Sequence, residues 1–209
     1  MYRRGLLQTY VDDAAAKKPA PGGGSVSALV GALAAAMSEM AANFTVGKKK
    51  FASVEGTIRQ MLDELSQCRD ALLELMDRDV EAYGVVNKAY ALPAETPEQQ
   101  AARQREIQHA LRDAMGAPLE VMRQCARLSA LADGLADIGN PNLITDVGVS
   151  AILAEGACEA ARLNVEVNLK FLGDRKLKEE AAAEIEILSR QVREHRDSVG
   201  RKVARRLAG

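Results

Sequence analysis

Residues 25–46 read SVSALVGALAAAMSEMAANFTV, and the fold of the chain turns on how this run is taken. As a helix it is long enough to cross a bilayer, and it carries a single charge, Glu39. Its composition argues against a span. Ala, Gly, Ser and Met outnumber Leu, Ile and Phe, and the interior holds Glu39 and Asn43. We read it as a central helix, buried on all sides. Its small side chains let neighbouring helices, or a second subunit, approach closely.

Outward from this run nearly everything reads as helix. Upstream, Leu6 to Lys18 is a short amphipathic start. Pro19-Ala20-Pro21-Gly22-Gly23-Gly24 is a turn, with Ser25 as N-cap of the apolar helix. Downstream, a connection holding Gly47-Lys48-Lys49-Lys50 leads to a long helix from about Ser53 to Ala91, ended by Leu92-Pro93. Thr96-Pro97-Glu98-Gln99 matches a capping box with Pro at the first helical position, opening a helix to about Met115. Another is expected from Pro118 to about Asp133. The loop Asp137-Ile138-Gly139-Asn140-Pro141-Asn142 precedes a helix from about Asp146 to Leu172. Gly173 stops it, and Asp174 caps the last helix, where Leu177, Ala181, Ile185, Leu188 and Val192 recur at helical spacing. No run alternates with period two, and no solenoid repeat is visible. The expected fold is all-α: one domain over residues 1–209, an elongated antiparallel bundle of about seven helices.

Composition narrows the function. The 28 basic and 29 acidic residues nearly cancel, giving a net charge of -1 and no bulk attraction to nucleic acid or anionic membrane. Aromatics make up 3% of the chain, too few for a base-stacking surface. Cys68, Cys125 and Cys158 form no Cys-x-x-Cys pair and read as buried thiols in a reducing, cytoplasmic setting. His109 and His195 sit in no metal-ligand pattern, so no metal is expected. The N-terminus lacks the pattern of a signal peptide.

One carboxylate stands apart. With Asp79 as origin and about 100° per residue, Leu65, Cys68, Leu72, Leu75, Met76, Tyr83, Val86 and Tyr90 all fall within about 60° of it. Asp63, Asp70, Glu74, Asp77 and Glu81 fall on the far side. Asp79 is thus an acid in the middle of an apolar stripe. Desolvation there favours the neutral acid, which prepares a group for proton transfer or for a cationic substrate. The alternative is a structural pair with a Lys or Arg of another helix.

The loops carry weaker signals. Gly22-Gly23-Gly24-Ser25 runs into a helix N-terminus, where glycines admit close approach and free N–H groups attract anions; a plain tight turn reads equally well. Lys48, Lys49 and Lys50 offer charge to an anionic tail, or form a solvated linker. Asn140, Asn142 and Asp146 gather polar groups ahead of a helix, either for a ligand or for turn and capping work. Asn164 and Asn168 stand one turn apart among apolar neighbours, and buried amides must find partners in another helix or a ligand.

These segments occur in one order: Pro21-Gly22-Gly23-Gly24-Ser25, Gly47-Lys48-Lys49-Lys50-Phe51, Asp77-Arg78-Asp79-Val80-Glu81-Ala82-Tyr83, Leu92-Pro93, Gly139-Asn140, Asp146, and Asn164-Val165 through Asn168-Leu169. The ordered set resembles the cyclodeaminase/cyclohydrolase family over nearly the full chain. That family comprises the cyclodeaminase domain of formiminotransferase-cyclodeaminase and the stand-alone methenyltetrahydrofolate cyclohydrolases. The resemblance implies an all-helical homodimer acting on a tetrahydrofolate one-carbon substrate, with no metal or other cofactor. It implies that Asp79, the second acid of the Asp-x-Asp stretch, is catalytic. It implies that Gly22, Gly23, Gly24, Ser25, Lys48, Lys49, Lys50, Asn140, Asn142 and Asp146 bind the substrate, and the amides Asn164 and Asn168 are expected to join them. Relatives often carry Lys after Leu-Pro, where this chain has Ala94.

The expected reaction is hydrolysis of 5,10-methenyltetrahydrofolate to 10-formyltetrahydrofolate. The Gly-Lys-Lys-Lys-Phe run and the lack of a formiminotransferase domain in these residues favour it. The alternative is ring closure of 5-formiminotetrahydrofolate with release of ammonia. An alternative from another class is a non-catalytic helical dimerisation module, with the basic end Arg201, Lys202, Arg205 and Arg206 contacting a partner.

Overall fold

In the computed structural model, which describes residues 1–208, the chain forms six α-helices: α1 (Leu7–Ala15), α2 (Gly23–Asn43), α3 (Glu55–Tyr90), α4 (Pro97–Ile138), α5 (Ile144–Phe171) and α6 (Arg175–Leu207). Single 3-10 turns cover Tyr2–Arg4, Lys49–Phe51 and Pro141–Leu143. There is no strand among the described residues. The apolar run is α2, set between α3, α4 and α5. It lies antiparallel to α3, since Ser25 meets Asp79 and Glu39 meets Arg69. It lies antiparallel to α5, since Ser38 bonds Ser150 while Gly23 approaches Asn164. Ala28, Ala34, Ala35 and Ala42 are fully enclosed, the close approach that small side chains allow. Glu39 pairs with Arg69 at 2.6 Å.

Three expectations change. First, α2 is not buried on all sides. Three neighbours enclose it, but Val26, Leu33 and Phe44 remain exposed along one stripe. Second, the helices expected on either side of Pro118 are one, the 42-residue α4 with Pro118 inside it. An internal proline costs about 3 kcal/mol. Burial of Met115, Leu119, Val121 and Met122 around it offsets that, each such side chain contributing roughly 1.5–3 kcal/mol. The helix count is therefore six rather than seven. Third, Ser25 does not cap α2. The N-cap is Gly22, and Ser25 lies inside the first turn.

Other local signals stand as read. Thr96 and Gln99 form the reciprocal capping box of α4. Asp174 caps α6 by accepting from the Leu177 N–H at 3.1 Å. The three cysteines are buried and unbridged.

Candidate active site

The N-terminal end of α2 meets the last turns of α3 and α5 beside the middle of α4. A cavity of about 600 Å³ opens there, a size suited to a small-molecule ligand. Among the described residues Asp79 is its only charged lining group, and no Lys, Arg or His lines it. Tyr83, Tyr90 and Phe171 supply flat aromatic walls, and Leu111, Val86 and Val167 add apolar surface.

Antiparallel packing of α3 on α2 sets Asp79 against the first turn of α2. The backbone N–H of Ser25 donates to Asp79 Oδ2 at 2.9 Å. The carboxylate lies so close to Gly24 that a Cβ there would stand 2.0 Å from Asp79 Oδ1. The glycine-rich turn therefore admits a protein carboxylate, and Asp79 is the anion that the Ser25 N–H at this helix start holds. Gly23 plays the same part toward Asn164: a Cβ would lie 3.0 Å from Nδ2. Burial pushes the Asp79 carboxyl above its ordinary value, and the Ser25 N–H opposes that shift. Among the described residues no Lys, Arg or His lines the cleft beside it, so the reading of Asp79 as half of a structural ion pair is set aside.

Asn164 and Asn168 project from α5 into the cavity. Their side-chain amides donate to the carbonyls of Ala160 and Asn164, both at 2.8 Å. One N–H of each amide is thereby bonded to its own helix, which leaves the second N–H and the carboxamide oxygen of each for a ligand. Gly22, Gly23, Gly24, Asp79, Asn164 and Asn168 thus line one cavity, with Ser25 directly behind.

The remaining expected residues are not in this cleft. Lys48, Lys49 and Lys50 follow the opposite end of α2, about 30 Å away at 1.5 Å rise per residue. Lys48 sits over the Phe44 ring and Lys50 over Phe51. Asn140 does turn work at that same end. Its backbone N–H donates to Thr45 Oγ1 and its side chain to the Phe44 carbonyl, while its Oδ1 accepts from the Asn142 N–H. Asp146 lies in the first turn of α5, beside them. Within one chain these six residues therefore line no part of the cavity, because helix length separates the two ends.

Sequence reading overlooked Asn87, Phe171, Pro19 and Ala20 as cleft residues. A signal existed for the first two. Asp79, Tyr83, Val86, Asn87 and Tyr90 recur at helical spacing, as do Asn164, Val167, Asn168 and Phe171. Asp77, placed on the outer face by the wheel, is buried under residues 2–3 instead.

Comparison with known proteins bears on the same residues. Residues 6–187 match the family model described as formiminotransferase-cyclodeaminase. The chain is 41% identical over 180 residues to methenyltetrahydrofolate cyclohydrolase of Methylorubrum extorquens, covering 86% of each chain. It is 32% identical to formimidoyltransferase-cyclodeaminase of Rattus norvegicus, covering 90% of this chain but 35% of that protein. The crystal structure of formiminotetrahydrofolate cyclodeaminase from Thermotoga maritima superposes with a TM-score of 0.89 at 31% identity, covering 98% of both chains.

Proposed function

This chain belongs to the formiminotransferase-cyclodeaminase family, and from that premise we propose that its cleft hydrolyses 5,10-methenyltetrahydrofolate to 10-formyltetrahydrofolate. One observation carries the reading: a single carboxylate with no cation beside it, Asp79, in an aromatic and apolar cavity of about 600 Å³. Such a cavity fits a flat heteroaromatic ligand bearing a delocalised cation, which is what the methenyl bridge between N5 and N10 presents. The 41% identity over most of both chains to a methenyltetrahydrofolate cyclohydrolase supports this choice of reaction.

Asp79 performs the proton work. Its carboxylate stabilises the amidinium-like cation, and water attacks the methenyl carbon while Asp79 takes the water proton. The tetrahedral adduct collapses as the C–N5 bond breaks. Asp79 returns its proton to N5, and the adduct hydroxyl loses its proton to solvent as the formyl C=O forms. Asn164 and Asn168 accept hydrogen bonds from the N–H edge of the pterin, and Tyr83, Tyr90 and Phe171 stack on its faces.

The protein acts as a homodimer in this reading. The exposed stripe of α2 is matched on neighbouring α5 by Val149, Ile152, Leu163 and Val167. Apolar stripes of this kind on adjacent helices favour a second copy. A two-fold axis crossing α2 near its middle sets the Lys48–Lys50 end of one copy beside the Gly22–Gly24 end of the other. The lysines then meet the glutamate tail, for which a single cleft holds no cation. The site uses no metal or further cofactor, and the enzyme works in the cytoplasm.

A second reading is cyclodeaminase activity, favoured by the likeness to the Thermotoga maritima protein. Absorbance separates the two. Purified protein should bleach the methenyl chromophore faster than a buffer blank. Appearance of that chromophore from 5-formiminotetrahydrofolate, with ammonia, would assign the second reaction. Silence in both assays, with no folate-dependent rise in melting temperature, would return the chain to the non-catalytic class.

A further inference from the structure

Two buried groups near the cleft have no part in the chemistry above. Asp77 is 6% exposed, and its Oδ2 accepts no hydrogen bond. Tyr10 is the one buried residue of α1, whose Leu7 and Val11 face solvent. Both belong to a single connected arrangement. The Tyr2 backbone N–H donates to Asp77 Oδ1 at 2.6 Å, and Arg3 Nε stands 3.9 Å from Oδ2. The Tyr2 ring meets the Tyr10 ring edge to face at 5.2 Å, and its hydroxyl donates to Asp13 at 2.8 Å. The Tyr10 hydroxyl lies 3.0 Å from Ser25 Oγ, and Ser25 is the residue whose N–H holds Asp79. The same segment then runs on to Pro19 and Ala20 at the cleft rim.

We propose that Asp77 and Tyr10 are positioning residues for the Asp79 carboxylate: Asp77 anchors the N-terminal segment to α3, and Tyr10 steadies Ser25 behind Asp79. The two acids of Asp77-Arg78-Asp79 thus divide their work, one holding the segment that shields the other from water. This rests on the reading of Asp79 as the proton-transfer group. An element that buries one side chain undocks more readily than the bundle unfolds. The anchor therefore matters to the site more than to the fold.

The test compares Asp77→Ala, which removes the acceptor for Tyr2, with Asp77→Asn, which keeps it. Both remove the same charge, so their difference reports docking alone. Three quantities are read: amide hydrogen exchange across Leu7–Ala15, the carboxyl titration of Asp79 by carbon NMR, and kcat and KM on 5,10-methenyltetrahydrofolate. The other ionisable groups near Asp79 are Tyr10 of α1 and Asp77, Tyr83 and Tyr90 of α3. The faces of α2, α4 and α5 in the cleft supply none. Relative to Asp77→Asn, Asp77→Ala should exchange α1 amides about tenfold faster or more. Asp79 should titrate at lower pH as water reaches it, and kcat should fall about tenfold or more with a smaller change in KM. Tyr10→Phe, which keeps the ring, should lower kcat without releasing α1, and it carries the test if Asp77→Ala does not fold. Undocked α1 with unchanged Asp79 titration and kcat would overturn the proposal, as would wild-type values for both in Tyr10→Phe. If the wild type turns over no methenyl substrate, the functional reading falls by itself. The Asp79 titration then decides: a shift between the variants upholds the positioning role, and no shift ends it.

Discussion

At Asp79 the requirements of folding and of chemistry oppose each other. A half-buried carboxylate with one N–H donor and no cation beside it in the cleft holds its proton more tightly in the folded chain than in the unfolded one. Its folded value is raised, so its stabilising contribution is full below its ordinary value of 3.8 and is lost as pH rises through the folded value. Asp79→Asn should therefore melt above the wild type at neutral pH, and the difference should vanish in acid. Turnover should fall by about 100-fold or more with the base gone. A pH series of melting curves alongside a single assay tests both halves. Gly24 is the complementary case. With a Cβ 2.0 Å from Asp79 Oδ1, Gly24→Ala must displace the carboxylate. The expected cost is about 1–3 kcal/mol by denaturant titration. The displaced base should also slow turnover roughly 10–100-fold.

Among the elements, the end signals at Thr96 and Asp174 were legible, whereas Ser25 and the mid-helix proline misled. Thr96 caps α4 as its sequence predicts, because the reciprocal bonds involve only residues 96–99 and need no tertiary partner. Thr96→Ala should cost about 1 kcal/mol, measurable as a shift in urea midpoint at unchanged slope. Pro118 read as a break because local propensity disfavours it there, yet packing of its buried neighbours carries α4 through. The Asn140 turn is likewise local: its Asx bond to Asn142 is a two-residue affair. Its other two bonds, to Thr45 and Phe44, join segments far apart in sequence, and no local pattern foretells them.

For the whole molecule, the arrangement of helices decides what is exposed. The stripes on α2 and α5 leave Leu33 52% and Ile152 62% exposed, values unusual for large aliphatic side chains in a core helix. Leu33→Glu with Ile152→Glu places charges across the proposed dimer face. Sedimentation should report a monomer where the wild type gives a dimer, and KM should rise most for polyglutamated substrate. A double variant that stays dimeric would reject this face.

The sequence by itself determined the helical class, the caps at Thr96 and Asp174, and the angular position of Asp79 in an apolar stripe. These follow from a period of 3.6 residues and from bonds closed within one turn. Tertiary structure alone decided which helix ends meet. A wheel assigns a direction around an axis but no height along a neighbouring helix. The wheel could not set Asp79 at Gly24, leave Lys48 at the far end of α2, or lay Tyr2 over Asp77. Those placements depend on antiparallel register, and register is set by the packing of whole helices such as the alanines of α2, not by any residue's immediate neighbours.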